Sequence, residues 1–151
     1  MINELKSLTE GVPYLLANLS NTASYIYHNL GHVNWAGFYI YIDNKLTLGP
    51  FCGKPACIEI PMGRGVCGTA AQKDMTVVVP DVHAFEGHIA CDGASASEIV
   101  VPLHKGGKLW GVLDIDSPVK GRFDAENKEE TQCIEQLARI VEKFIEENKE
   151  F

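Results

Sequence analysis

A chain of 151 residues, 46% apolar and 22% charged, is long and apolar enough to bury one core without disulfides or metal, which excludes disordered, collagen-like and fibrous classes. Lysine and arginine number 13 against 20 aspartates and glutamates, a net charge of −7, and with no basic patch along the chain neither nucleic acid nor an anionic membrane is expected as a partner. No apolar run approaches the roughly 20 residues of a spanning helix, and the start MINELKSLTE lacks the basic and apolar regions of an export signal, so a cytoplasmic location is expected. Five cysteines in that compartment point to reduced, catalytic or metal-binding thiols, and their odd number forbids complete pairing within the chain.

In chain order, Leu5, Leu8, Val12, Leu15 and Leu16 recur at helical spacing, with a break near Gly11 and Pro13, and a second short helix is predicted from Asn21 to Leu30. WAGFYIYI and KLTLGPF, joined by Asp43-Asn44, read as a β-hairpin. Alternation puts Trp35, Gly37, Tyr39 and Tyr41 on one face of its first strand, an aromatic wall. CIEIPM is a short strand, GRGVCGTAAQKD a glycine turn opening a two-turn helix, and MTVVVP a strand ended by its proline. Residues 81–97 have no periodicity, and an aperiodic segment this long inside a compact domain points to function or disorder. SEIVVPL and KLWGVLDID form a second hairpin around Lys105-Gly106-Gly107. The last segment is an amphipathic helix with Ile134, Leu137, Ala138, Val141, Phe144 and Ile145 on one stripe, Asp124 as its expected N-cap and Phe123 as a staple. Hairpin-connected strands between terminal helices predict an α+β layer fold in one domain.

Gly63, Gly65 and Gly68 spell G-x-G-x-x-G, but hairpins elsewhere and a short following helix favour a tight turn over a dinucleotide site. Cys67 lies near that helix start, where the helix dipole and Arg64, if it points inward, favour a thiolate. His88 and Cys91 carry a zinc reading that lacks a second ligand pair, so no metal site is expected. On the last strand Trp110, Val112, Asp114 and Asp116 share a face. A three-residue turn at Lys105 to Gly107 pairs residue 104 with 108 and sets Glu98 opposite Asp114, whereas a two-residue turn carries Glu98 to the other face. Three carboxylates converging beside Trp110 and Val112 in a partly dry place require a cationic ligand or a retained proton.

The stretches GPFCGKPAC, GRGVCGTAA, VPDVHAF, GHIACD, SEIVVPL and GVLDIDS resemble those of the free methionine-(R)-sulfoxide reductases, which are built on a GAF domain. The likeness runs from about Trp35 to Asp116. It implies a GAF-like central antiparallel sheet of about six strands packed by N- and C-terminal helices, residues 1–151 forming one domain. It also implies an oxidoreductase acting against oxidative stress, which reduces free L-methionine-(R)-sulfoxide with Cys91 as nucleophile, Cys57 as principal resolving cysteine and Cys67 as a third thiol able to resolve. The substrate pocket falls on Trp35 and Tyr39 as its wall and on Glu98, Asp114 and Asp116 as polar contacts. An intramolecular disulfide would be reduced by thioredoxin as external reductant, with no metal or bound cofactor, and a homodimer is expected. Cys52 stands where the family pattern leads one to expect a polar residue, and Cys133 reads as a core residue of the last helix. The alternative from another class is a GAF module that binds a small molecule and signals without catalysis. One short domain closing on a single helix favours the enzyme.

Overall fold

The structure, a computed structural model, describes residues 1–88 and 93–148. Helix α1 (Ile2–Thr9) gives way to a connection through Gly11, whose φ of +74° places it in the left-handed region. Helix α2 (Leu15–Asn29) is one unbroken element, where the sequence predicted a short helix from Asn21. Its buried stripe runs through Leu15, Asn18, Leu19, Thr22, Ala23 and Ile26. Of its polar residues Asn18 is used: its Nδ2 donates to the carbonyls of Thr9 and Val12, fastening the connection between the two helices.

Strands β1 (Trp35–Ile42) and β2 (Lys45–Gly53) form the first hairpin. Its turn residues Asp43 and Asn44 both take positive φ, 53° and 61°, the two-residue turn whose twist matches that of the flanking strands. After β3 (Glu59–Pro61), helix α3 (Gly65–Lys73) and β4 (Val77–Val79), the hairpin of β5 (Ser97–Lys105) and β6 (Lys108–Ser117) leads to helix α4 (Lys128–Glu147). The six strands make one sheet in the order β3-β2-β1-β6-β5-β4, every neighbouring pair antiparallel.

Alternation along the strands divides two cores. Ala36, Phe38, Ile99, Val101, Leu113 and Ile115 face α1, α2 and α4, while Trp35, Tyr39, Leu46, Val100 and Val112 face α3. The expected sheet with terminal helices is present, and α3 adds a cover on the second face, the face that carries the site. The N-cap of helix α4 lies three residues after the expected one. Asn127, not Asp124, accepts from the Glu130 amide, while Asp124 caps a local turn by accepting from Glu126. Phe123 is nonetheless fully buried against the helices. Cys133 is half-buried on α4 rather than fully in the core. Among the described residues no helix is long and apolar enough to cross a membrane.

Candidate active site

Between α3 and the sheet lies a hollow with an internal volume of about 50 Å3 that opens to solvent. Trp35 and Tyr39 of β1, Glu98 of β5, Asp114 and Asp116 of β6 and Cys67 of α3 all line it. Of the expected site residues, these six come together.

The wall is built by stacking. Trp35 lies parallel to Phe51 with ring centroids 5.2 Å apart and stacks on Tyr39 at 6.0 Å. Gly37 permits this, because a Cβ there would stand 2.3 Å from that of Phe51. Both wall residues also reach across to the segment after β2: Trp35 Nε1 donates to the Lys54 carbonyl at 3.1 Å, and the Tyr39 hydroxyl to the Cys57 carbonyl at 2.8 Å. Burial, then the charge of Asp114, pushes the Tyr39 phenol far above its ordinary value, so it stays a donor.

The carboxylates meet by a route the sequence did not predict. The turn is the two-residue one: Lys105 pairs with Lys108 around Gly106 and Gly107, which have φ of 59° and 76°. That turn alone would have sent Glu98 to the opposite face. A β-bulge follows, with His104 opposite Leu109 but Leu103 opposite Gly111, leaving Trp110 as the extra residue. The bulge restores the face, and Glu98 stands opposite Asp116 rather than Asp114. It also reverses the residues before it: Trp110 packs toward the terminal helices and Leu109 toward α3. Trp110 therefore contributes nothing to the dryness of the site, which Val112, Val100 and α3 supply.

Glu98 and Asp114 are buried, 7% and 5% exposed. Burial, with Asp114 and Asp116 beside it, pushes Glu98 well above the ordinary carboxyl range. Burial raises Asp114 too, while hydrogen bonds from Glu98 and Cys67 hold it back. Glu98 and Asp114 titrate as a pair, and burial favours retention of a proton between them. Cys67 Sγ lies 3.8 Å from Glu98 Oε2.

The thiolate expected at Cys67 is not supported. A helix N-terminus supplies about 0.3–1 kcal/mol to an anion, whereas the charge of the Glu98–Asp114 pair, within 4.8 Å of Cys67, opposes it by roughly 3–4 kcal/mol at an effective dielectric of 20. Burial first, then Asp114, Glu98 and Asp116, push the Cys67 thiol well above its ordinary value. Arg64 lines the mouth but is itself exposed. The glycines of this turn are structural: a Cβ on Gly68 would stand 2.5 Å from the Pro61 carbonyl.

Cys52, Cys67 and Cys133 are free thiols, whereas Cys57 is disulfide-bonded. Cys91 lies outside the described residues. The described ends of segment 81–97 are fastened beside the pocket, with Val82 bonded to Ala96 and the Gly65 amide to the Gly87 carbonyl. His88 and Ser95 line the hollow from this segment, as do Ala56 and Ile60 from before α3. Ser95, Ala56 and Ile60 were not among the expected site residues, and only their closeness in sequence to Cys57 and Glu98 hinted at them. Burial and nearby His83 lower the His88 pKa.

Sheet order, the helix laid over its second face and a buried polar pocket beneath that helix define an α+β ligand-binding domain, and the GAF domain family model matches residues 15–145. The free methionine-R-sulfoxide reductase of Escherichia coli is 49% identical over 142 residues, 94% of this chain and 84% of that protein. Among solved structures, the reduced fRMsr of Staphylococcus aureus superposes with TM-score 0.87 at 49% identity, covering 95% of this chain and 92% of that one. The free methionine-R-sulfoxide reductase of Neisseria meningitidis in complex with its substrate gives 0.89 at 43%, covering 95% and 84%. This chain belongs to the free methionine-(R)-sulfoxide reductase family of GAF-domain oxidoreductases.

Proposed function

We propose that this protein reduces free L-methionine-(R)-sulfoxide to methionine, with residues 1–151 acting as one GAF domain. The observation that carries the reading is the buried Glu98–Asp114 pair, flanked by Asp116 and facing the Trp35–Tyr39 wall. The Cys91 thiolate attacks the sulfoxide sulfur. An S–S bond to the substrate forms; as a proton reaches the oxygen the S–O bond breaks, the oxygen transfers to Cys91, and the S–S bond breaks in turn, leaving a Cys91 sulfenic acid and free methionine. Glu98, whose burial beside Asp114 and Asp116 favours its protonated form, supplies the acid that oxygen transfer needs. Asp114 and Asp116 bind the substrate's ammonium group, and the aromatic wall packs against its methyl group.

The Cys57 thiol then displaces hydroxide from the sulfenic acid. With the proton from Cys57 it leaves as water, and a disulfide forms. That role is supported by the redox state of the cysteines, since Cys57 is a half-cystine while Cys52, Cys67 and Cys133 are free thiols. Cys67, buried and protonated, serves as a reserve resolver. Thioredoxin in the cytoplasm reduces the disulfide, without metal or bound cofactor. The segment 81–97 closes over the substrate, and the active species is a homodimer.

Selectivity follows from the same carboxylates. A methionine sulfoxide within a peptide brings no ammonium, and the buried acids would lose their partner at about 1–3 kcal/mol.

Two measurements test this. Cys91→Ser protein, mixed with substrate in a single turnover without reductant, is expected to form no methionine; undiminished yield would remove Cys91 as the attacking atom. N-acetyl-methionine sulfoxide is expected to react far more slowly than the free amino acid, and equal rates would defeat the ammonium argument.

A further inference from the structure

We propose that Cys67, Glu98 and Asp114 form a binding site for a borderline-soft divalent cation, Zn2+ being the best fit, which blocks the pocket by occupying the ammonium position. The proposal rests on the functional reading only in that last clause. One ligand atom from each of the three residues lies within 4.8 Å of the others, and all three side chains are buried. A second observation points to a missing ligand: Asp114, 5% exposed, has its Oδ1 fully buried and without a hydrogen-bond partner among the described residues. A carboxylate oxygen left so is costly unless a cation or donor enters the cavity.

The donor set selects the metal. One thiol with two carboxylates suits zinc, whereas magnesium and calcium take oxygen ligands only. Bonds of about 2.3 Å to sulfur and about 2.0–2.2 Å to oxygen put tetrahedral neighbours roughly 3.5 Å apart. The Cys67 Sγ to Glu98 Oε2 separation of 3.8 Å needs to close by only a few tenths of an ångström. Three elements, α3, β5 and β6, supply the ligands, and all three residues line the hollow. Protons on Cys67 and on the Glu98–Asp114 pair leave as the metal binds, so affinity rises with pH. A bound divalent ion then repels the substrate's ammonium group and removes the proton that Glu98 would donate.

The test uses the full chain in its oxidised form, where Cys57 cannot ligate, titrated with Co2+ and then Zn2+. One equivalent of Co2+ is expected to give a thiolate-to-cobalt charge-transfer band that Zn2+ bleaches and free methionine sulfoxide displaces. The band is expected to vanish in Cys67→Ser and persist in Cys52→Ser/Cys133→Ser. Glu98→Gln and Asp114→Asn, close in shape to the native residues, are each expected to weaken binding by about 10- to 100-fold. A band absent from the native chain, one that survives Cys67→Ser, or native affinity in both carboxamide variants would overturn the site. A band that substrate fails to displace would overturn the blocking role. Because the titration involves no turnover, its outcome is independent of the Cys91→Ser single-turnover result.

Discussion

Glu98 of β5 stands directly across the ladder from Asp116 of β6, and Val100, two residues on, faces Asp114, so Glu98 meets one aspartate across the strands and the other on the diagonal. Burying three acids on one patch of sheet costs least when protons stay bound. The folded pKa values of Glu98 and Asp114 lie above the ordinary carboxyl range, and the folded state therefore holds more protons than the unfolded chain. Stability from this source is complete below the unfolded carboxyl pKa and is lost as pH rises through the folded values. Urea unfolding followed from about pH 5 upward is expected to show stability falling by up to about 1.4 kcal/mol per pH unit per retained proton. Glu98→Gln is expected to flatten that slope.

The same proton separates the roles of the two acids. Glu98→Gln keeps a hydrogen-bond donor but has no acidic proton, and its kcat is expected to drop by about 10²- to 10⁴-fold. Asp114→Asn removes a charge from the proposed ammonium site. Its KM is expected to rise by about 10- to 100-fold, the equivalent of a lost charged hydrogen bond of about 1.5–3 kcal/mol. Steady-state kinetics on the two variants, with the opposite split between kcat and KM, would reverse the assignment.

Tyr39 couples the wall to Cys57, the proposed resolving cysteine, through its 2.8 Å hydrogen bond to the Cys57 carbonyl. Tyr39→Phe keeps the ring and deletes only the donor, and is expected to cost about 1 kcal/mol of stability. It also loosens the backbone that presents Cys57. Formation of the disulfide after one stoichiometric turnover is expected to slow by roughly fivefold, the rate equivalent of about 1 kcal/mol. Loss of free thiols after rapid mixing with substrate measures it.

Which residues face which side was largely legible from period-two alternation. Trp35 and Tyr39 on one face of β1, and Asp114 and Asp116 on one face of β6, stand as their spacing predicts. What sequence could not yield was the bulge at Trp110, since an extra residue in a strand leaves no compositional mark when both Leu109 and Trp110 suit either core. Two departures from expectation cancelled: the two-residue turn moved Glu98 off the site face and the bulge brought it back. The Cys67 thiol was misread for a different reason. Its helix start is local and visible, but the acids that keep it protonated arrive from β5 and β6, and only the fold brings them near. The role proposed for Cys91 rests on resemblance, because nothing in its local sequence distinguishes a nucleophile from a buried small residue.

The glycine turn before α3 offers the sharpest check on that coupling between backbone and site. Gly68 sits against the Pro61 carbonyl, and Gly63 donates its amide to the Gly68 carbonyl at 2.8 Å. A Cβ on Gly68 would overlap backbone that cannot rotate away, so Gly68→Ala forces α3 outward or opens the turn. Overpacking of this kind is expected to cost about 1–3 kcal/mol, measured by urea unfolding. As α3 moves, Cys67 withdraws from Glu98 and Asp114, and the burial that raises their proton affinities weakens. The Cys67 thiol of Gly68→Ala is therefore expected to react with a small alkylating reagent faster than that of the native chain at pH 8. A variant with native stability and native Cys67 reactivity would mean that the turn tolerates a side chain and that the three glycines are not there for packing.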